Sequence, residues 1–231
     1  RPRAGRFCRD GPEIENAMTF SIVAWLPATG ELGVGVATCK PAIGGRVPFV
    51  RAGAGAVASQ AVSNPWLGVS VLALLGRGLP AQAALEAALA TDPAPETRQI
   101  HVVDAAGHPA AWTGDATPDW HGHLAGEHFS VAGNTLVGPA VLADMVAAYR
   151  AADGDLAARL LAALEAGDAA GGDRRGRQSA ALVVVRGDPF PYADVRVDDA
   201  PKPLPELRRI LALYRQDRLV NPRPRAAYVK E

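Results

Sequence analysis

The segment Met18-Thr19-Phe20-Ser21-Ile22-Val23-Ala24-Trp25 decides the fold that this sequence predicts. It has the composition of a short apolar strand, and it opens with a hydroxyl residue directly after a methionine. A second apolar stretch, residues 31–38, follows after Pro27-Ala28-Thr29-Gly30, which has the proline and glycine of a tight turn. Residues 19–26 and 31–38 are therefore predicted to form a β-hairpin.

The rest of the chain alternates between groups of strands and pairs of helices. Strands are predicted at 47–50, 54–59, 98–103, 109–113, 129–132, 179–185 and 193–198, and helices at 65–76, 80–89, 138–149, 156–167 and 204–214. A doubly wound parallel sheet would need single helices alternating with strands. The observed order instead favours an α+β fold, a four-layer α-β-β-α sandwich of two antiparallel sheets.

Length and end composition predict one folded domain with loose ends. The 231 residues suit one domain, placed at 18–217. Residues 1–17 are polar and without period, which predicts a disordered extension, and the Pro/Arg-rich residues 218–231 predict a flexible tail. Because the sequence does not begin with methionine, our interpretation is that Met18 is the true start and that the preceding residues extend the gene model upstream.

The overall composition argues against several function classes. A formal net charge of zero and a pI near 7.2 do not provide the basic face that non-specific nucleic-acid binding needs. No apolar run approaches the roughly 20 residues of a membrane span. The two cysteines, Cys8 and Cys39, form neither a CxxC nor a zinc pattern, which favours a reducing cytoplasm. We predict a cytoplasmic protein that binds neither nucleic acid nor membrane.

Thr19 is the predicted catalytic nucleophile. If Met18 is removed, Thr19 carries on one residue a hydroxyl and an α-amine of pKa roughly 7.7–8.0. That amine can act as the general base that activates the hydroxyl for acyl transfer. The alternative is an ordinary strand threonine after a start codon. Ser21 lies on the same predicted strand face and could help to position the amine.

Five stretches carry a resemblance to a known family. They are MTFSIVA from Met18, ELGVGVAT from Glu31, VPFVRAGAGAVASQA from Val47, Gly133-Asn134-Thr135-Leu136, and GGDRRGRQSAAL from Gly171. The chain resembles the domain of unknown function 1028 family, generally grouped with the N-terminal-nucleophile (Ntn) hydrolases, over about residues 18–214. The resemblance implies an Ntn-like fold and an amidohydrolase activity, without an established substrate.

Arg51 and a Gly-Asn pair complete the predicted catalytic set. Arg51 follows Thr19 at a separation similar to that between the terminal threonine and the active-site lysine of proteasome subunits. Arginine cannot be a base, but its charge could depress the amine pKa or hold an anionic substrate. Gly133 and Asn134 could supply oxyanion hydrogen bonds. The alternatives are a surface arginine and a turn that caps the next helix.

Further polar residues are predicted to bind substrate or to orient the amine. Ser59 and Gln60, at a strand end, could line the same pocket. In the glycine-rich loop 171–179, Asp173 could orient the Thr19 amine, while Arg177 and its arginine neighbours could hold a carboxylate or phosphate. Ser179, at the end of this loop, is also predicted to contact the substrate. A solvated connection or a subunit contact is the alternative role of this loop.

The histidines suggest metal binding only weakly. The HxH spacing of His121 and His123, with Glu127 and His128 nearby, can bind zinc, but a second distant ligand cluster is lacking and loop histidines beside glycine usually face solvent. We predict no metal and no cofactor.

The sequence as a whole predicts an Ntn-type amidohydrolase, a homodimer or higher homo-oligomer, that cleaves an amide-type bond in a small molecule or peptide. The rival interpretation is a non-catalytic binding or assembly protein that keeps the sandwich fold.

Overall fold

The computed structural model describes residues 19–220, which form ten β-strands and five α-helices. The hairpin prediction is confirmed, because β1 spans Thr19–Leu26, β2 spans Glu31–Thr38, and the two pair antiparallel with Thr19 opposite Thr38. Gly30 supplies the positive φ, 67°, that ends the turn. The predicted extension 1–17 lies outside the described residues.

The larger sheet has six strands in the order β10-β9-β2-β1-β8-β7. Its strands beyond the hairpin are β7 Gly122–Gly126, β8 Phe129–Asn134, β9 Ser179–Val185 and β10 Ala193–Val197. Each neighbouring pair is antiparallel. The β1 strand is therefore internal, with β2 on one side and β8 on the other.

The smaller sheet has four antiparallel strands in the order β3-β4-β5-β6. They are β3 Pro48–Arg51, β4 Gly55–Ala61, β5 Arg98–Asp104 and β6 Pro109–Thr113. This sheet comes from one continuous part of the chain, whereas the larger sheet combines strands from both ends of the described region.

Five helices pack on the outer faces of the sheets. They are α1 Pro65–Leu75, α2 Ala81–Leu89, α3 Ala140–Ala151, α4 Leu156–Ala169 and α5 Pro203–Val220. Asn64 caps α1 by accepting a hydrogen bond from the Trp66 N–H, and Asp155 caps α4 through the Ala158 N–H. No helix of the described residues is long and apolar enough to cross a membrane.

Three apolar clusters define how these elements pack. One lies between the larger sheet and α3, α4 and α5, and includes Phe20, Ile22 and Leu160. The second lies between the smaller sheet and α1 and α2, and includes Ile100 and Val102. The third fills the space between the two sheets and includes Val23 and Val103. Because side chains alternate along a strand, Phe20 and Ile22 face the helices while Thr19, Ser21 and Val23 face the other sheet.

Two sequence predictions differ from the structure. Residues 122–126, predicted as a loop, form β7, because they pair with β8 in register from Gly122 opposite Gly133 to Gly126 opposite Phe129. The short, glycine-rich and half-exposed strand has too little apolar alternation to be visible in the sequence. The last helix continues to Val220, past the predicted start of the tail at 218. The mixed α+β fold with two antiparallel sheets is confirmed.

Candidate functional site

Thr19 lies at the centre of the larger sheet, at one end of the space between the sheets. Its cross-strand partners are Thr38 on β2 and Asn134 on β8. The Thr19 and Thr38 hydroxyl oxygens are 3.4 Å apart. Cross-strand partners lie on the same face of a sheet, so the three polar side chains meet there. Thr19 is 1% exposed. A substrate can therefore reach its hydroxyl only if the residues that cover it move aside.

The backbone of β1 directs the Thr19 nitrogen towards Asn134. The Trp25 N–H donates to the His128 carbonyl, 2.9 Å away, on the β8 side. In an antiparallel ladder the residues that bond to one neighbour alternate along the strand. Thr19, six residues before Trp25, therefore points its nitrogen to the same side, where Asn134 is its register partner.

The same alternation assigns different directions to Gly133 and Asn134. Asn134 directs its backbone groups towards β1, so Gly133 directs its N–H towards β7, where Gly122 is its partner. The prediction that the Gly133 N–H serves as an oxyanion donor beside Thr19 is therefore corrected. Of the two residues, only Asn134 is placed at Thr19.

Asp173 lies beside the strands that flank Thr19. One carboxylate oxygen accepts from the Cys39 N–H at 3.2 Å, and the other accepts from the Arg175 N–H at 2.7 Å. Its backbone also bridges to Leu136. Burial raises the pKa of Asp173, against the lowering effect of these hydrogen bonds and of the Arg175 charge. The carboxyl thus ties the glycine-rich loop to the ends of β2 and β8, next to Thr38 and Asn134.

A buried network of polar side chains occupies the space between the sheets next to Thr19. Ser21 donates to the Gln60 Oε1 at 2.6 Å, and its oxygen lies 2.7 Å from the His101 Nε2. Gln60 Nε2 and Asn134 Nδ2 both donate to the Gln99 Oε1, at 2.7 and 2.9 Å. All five side chains are at most 1% exposed. Such groups are costly to bury unless they are hydrogen-bonded, and within this network only His101 Nδ1 and Asn134 Oδ1 lack a partner among the described residues.

Gln99 is the central member of the network. Its Nε2 faces three oxygens: the Gly133 carbonyl at 2.9 Å, the Thr113 hydroxyl at 3.0 Å and the Gly122 carbonyl at 3.1 Å. One side chain of the smaller sheet therefore contacts both edge strand β7 and internal strand β8 of the larger sheet.

His101 is held neutral. Burial, and then the charge of His123, lower its pKa to about 3, with the Ser130 backbone acting in the opposite direction. Its Nδ1 has no hydrogen-bond partner among the described residues. A neutral imidazole in contact with the Ser21 hydroxyl can exchange donor and acceptor roles only by changing tautomer.

Two predicted site residues lie away from Thr19. Arg51 is exposed, and its guanidinium lies beside Gly76 at the end of α1. It pairs with Gly55, five residues and therefore about 17 Å along β4 from Gln60. Ser59 points to the opposite face of β4 from Gln60 and donates to the Asn64 carbonyl at 3.0 Å. The predictions that Arg51 and Ser59 belong to the Thr19 site are therefore corrected. Arg51 contacts the end of α1, and Ser59 supports the start of the same helix.

The loop residues Arg177 and Ser179 have structural partners. Arg177 forms an ion pair with Asp168 on α4. Ser179 donates to the Lys40 carbonyl at 2.5 Å and accepts from the Ile43 N–H at 3.2 Å. Ser179 is also opposite Thr38 in the sheet. These contacts hold the turn after β2 beside the Thr19 end of the sheet, without an arginine aimed at Thr19.

The histidines considered for metal binding lie apart. His123 Nδ1 is 2.9 Å from the Thr113 hydroxyl, His121 faces Asp119, and His128 packs edge-on against Trp25. Within residues 19–220, no group of three or more His, Cys, Asp or Glu is arranged to hold a metal ion.

Open clefts lie elsewhere on the described surface. One of about 380 Å³ is lined by Asp155, Tyr192, Tyr214 and Arg218 among others, and one of about 310 Å³ by Phe49, Leu72 and Arg196 among others. Neither is lined by Thr19.

Sequence reasoning missed Gln99, His101 and Thr38 as members of this site. Gln99 and His101 alternate with the buried Ile100 and Val102, so both face the inner layer of a strand that is buried on its two sides. Polar residues at the inward positions of such a strand are the signal that could have found them.

The fold and this site define a mixed α+β protein with a buried polar cluster between two antiparallel sheets. The chain belongs to the family of unknown function DUF1028, whose model matches residues 19–207. It is similar to the crystal structure of protein SPO2555 from Silicibacter pomeroyi, described with the same family model. The identity is 33%, the TM-score is 0.79, and the match covers 87% of this chain and 89% of the other. No curated protein matches the chain.

Proposed function

We propose that this protein is an Ntn-type amidohydrolase that cleaves an amide-type bond in a small molecule or peptide, with Thr19 as the nucleophile. The arrangement of two antiparallel sheets with helices on their outer faces supports the α-β-β-α sandwich of that class. The observation that carries the proposal is the position of Thr19. It opens β1, directs its nitrogen to Asn134, and places its hydroxyl in a buried polar environment.

The chemistry follows from a threonine with a free α-amine. The Thr19 Oγ attacks the substrate carbonyl carbon while its proton passes to the α-amine. The C–N bond then breaks, the leaving amine takes the proton, and an ester between the acyl group and Thr19 remains. Water adds to this ester with the amine again as base, which releases the acid and restores the hydroxyl. Each step balances without an external oxidant or reductant.

The surrounding residues would supply positioning and charge stabilisation. The Asn134 side-chain amide has two N–H groups, of which Gln99 takes one, and the second can donate to the oxyanion. Asp173 acts at a distance, because its carboxylate fixes the Cys39 N–H and with it the end of β2.

The first test is the N-terminus of the protein purified after expression from its native gene. The proposal requires a free amine at Thr19, so intact mass and N-terminal sequencing should find chains that begin at Thr19. If all chains retain Met18 or earlier residues, the general base is blocked and the proposal fails. The non-catalytic binding protein would then be the better description.

The second test is covalent trapping of Thr19. A β-lactone or activated-ester probe should acylate the wild-type protein once, at Thr19, as located by peptide mass spectrometry. Thr19→Ser should retain labelling and Thr19→Ala should abolish it. The exposed Thr91→Ala is the matched control and should label like wild type. Equal labelling of Thr19→Ala would sink the assignment, and thermal melting would confirm that the variant folds, since a strand threonine contributes only about 1 kcal/mol.

A further inference from the structure

The orientation of the Gln99 carboxamide is fixed by two groups that can only accept hydrogen bonds. The backbone carbonyls of Gly122 and Gly133 lie 3.1 and 2.9 Å from one end of this side chain. That end must therefore be the NH₂ group, and the opposite end must be the carbonyl oxygen. This conclusion depends only on the chemistry of the peptide group.

Gln99 in turn fixes the orientation of Asn134. Because the Gln99 Oε1 accepts, Asn134 must present its NH₂ to it, as the 2.9 Å contact requires. The Asn134 Oδ1 is then turned away from Gln99, and this buried oxygen has no hydrogen-bond partner among the described residues. In the antiparallel ladder the Thr19 nitrogen points to the backbone carbonyl of Asn134, its register partner. An unused acceptor therefore lies on the residue that faces the proposed general base.

The same constraint passes through Gln60 to His101. Gln60 also presents its NH₂ to Gln99, so its oxygen faces Ser21 and must receive the Ser21 proton. The Ser21 oxygen, 2.7 Å from His101 Nε2, is then left as an acceptor. The network therefore assigns the His101 proton to Nε2. Nδ1 makes no full hydrogen bond, although the Ser130 backbone lies close enough to the ring to favour its protonated form.

We propose that Gln99 is the positioning residue of the Thr19 site: it turns Asn134 so that Oδ1 is left open to accept a hydrogen bond from the Thr19 α-amine once that amine is free. The proposal rests on the proposed function for the role of Thr19. The orientation of the network is a separate consequence of the two carbonyls and holds whether or not Thr19 is catalytic.

The first experiment measures the tautomer of His101 by ¹⁵N–¹H NMR on the full chain. We expect a protonated Nε2 and an unprotonated Nδ1 in the wild type. In Gln60→Leu, Ser21 is free to donate to the ring, so a mixture of tautomers, with protonated Nδ1 detectable, should appear. Gln82→Leu, which changes an exposed glutamine on α2, should keep the wild-type tautomer. A wild-type ring protonated on Nδ1 would overturn the orientation of the whole network.

The second experiment measures the rate of Thr19 acylation by the β-lactone probe in Gln99→Met. Asn134 is free to turn in this variant, and the loss of one hydrogen bond should slow labelling about ten-fold. Gln82→Leu should label at the wild-type rate. Titration with the probe separates a lower maximal rate, which is expected, from weaker probe binding alone, which would contradict a positioning role.

The outcomes of these experiments distinguish the two proposals. If Gln99→Met labels like wild type while Thr19→Ala does not label, Gln99 has no positioning role and the proposed function stands. If the wild type itself is not labelled, the proposed function fails and the role of Gln99 at Thr19 fails with it, while the NMR measurement still decides the orientation of the network. If Gln99→Met does not fold, the wild-type tautomer and Gln60→Leu decide that orientation.

Discussion

The space between the two sheets differs from one end to the other. At one end, Val23, Val34, Ala56 and Val103 are fully buried and pack as an ordinary apolar core. At the other end, the same strands bring together Thr19, Ser21, Gln60, Gln99, His101 and Asn134, which are equally buried. We call these the apolar end and the polar end. The apolar end stabilises the fold at no hydrogen-bonding cost, whereas the polar end is tolerated only because nearly every donor has an acceptor.

Strand β5 contributes residues to both the polar end and the apolar end. Gln99, His101 and Val103 alternate on its inward face, and only the last contributes to the apolar cluster. A fold that needed only stability could have continued the apolar pattern, so the polar end indicates a role in function or in register.

The largest expected effect is a replacement of Gln99 by leucine. Gln99→Leu leaves the buried amides of Gln60 and Asn134 without their acceptor and removes the side-chain donor to the Gly133 carbonyl. We expect the free energy of unfolding to fall by roughly 3–5 kcal/mol, because unsatisfied buried groups cost about 1–3 kcal/mol each and the neighbours can partly rearrange. Urea unfolding measures it, and a loss below about 1 kcal/mol would contradict the distinction between the two ends.

A smaller effect is expected from the reverse change at the apolar end. Val103→Thr keeps the side-chain shape and buries a hydroxyl among Val23, Ala56 and their neighbours. The free energy of unfolding should fall by about 2 kcal/mol, because the polar side chains of the polar end do not reach this position and cannot pair with the new hydroxyl. Val62→Thr, the same exchange at a position that is 40% exposed, is the matched control. A threonine variant as stable as wild type would mean that the apolar end also accepts polar groups.

Protonation of His101 should make stability depend on pH. Its pKa is about 3 in the folded protein against 6.5 for the free side chain. As pH falls below 6.5 the unfolded chain binds this proton first, so stability decreases down to pH 3. Between pH 8 and 5.5 the loss from this group is about 1.4 kcal/mol.

The comparison that isolates this contribution uses two histidine variants. The raised pKa of Asp173 acts in the opposite direction at lower pH, so differences between variants are more informative than one curve. His101→Gln should lose about 1.4 kcal/mol less than wild type across this interval, measured by chemical denaturation. Replacement of the exposed His108 by glutamine should leave the wild-type pH dependence in place, and equal curves for both variants would rule out His101 as the cause.

The smallest effect is expected from the outward face of β4. Ser59→Ala removes one hydrogen bond, to the Asn64 carbonyl, on the helix side of the sheet. The loss should be about 0.5–1 kcal/mol, as for a single ordinary hydrogen bond. Acylation of Thr19 should be unchanged, and slower labelling would mean that the two faces of β4 are coupled.

The sequence predicts most of the fold but only part of the site. The hairpin is visible because its apolar strands and its Pro-Gly turn are local signals, and α1 is visible because Asn64 and Pro65 mark its start. Strand β7 is not visible, since it depends on pairing with β8.

The site follows the same rule. The Ser21 face could be derived from the strand period, whereas the contact of Asp173 with the end of β2 depends on the packing of the loop and not on a local pattern. The contacts of Gln99 could not be derived, because they join residues 14 to 39 positions apart through the packing of two sheets. Arg51 was misplaced for the same reason: a separation along the chain does not determine the end of a sheet at which a residue lies.

The order of strands also bears on how the chain folds during synthesis. The smaller sheet is formed by residues 48–113 alone, so all of its strand partners, with α1 and α2, are available once this part has left the ribosome. The larger sheet must wait, because β2 needs β9 and β1 needs β8, each more than a hundred residues later. Contacts between such distant segments slow folding. Until β8 and β9 have been synthesised, the β1–β2 hairpin has two unpaired edges. The strand that carries Thr19 is therefore among the last to be enclosed.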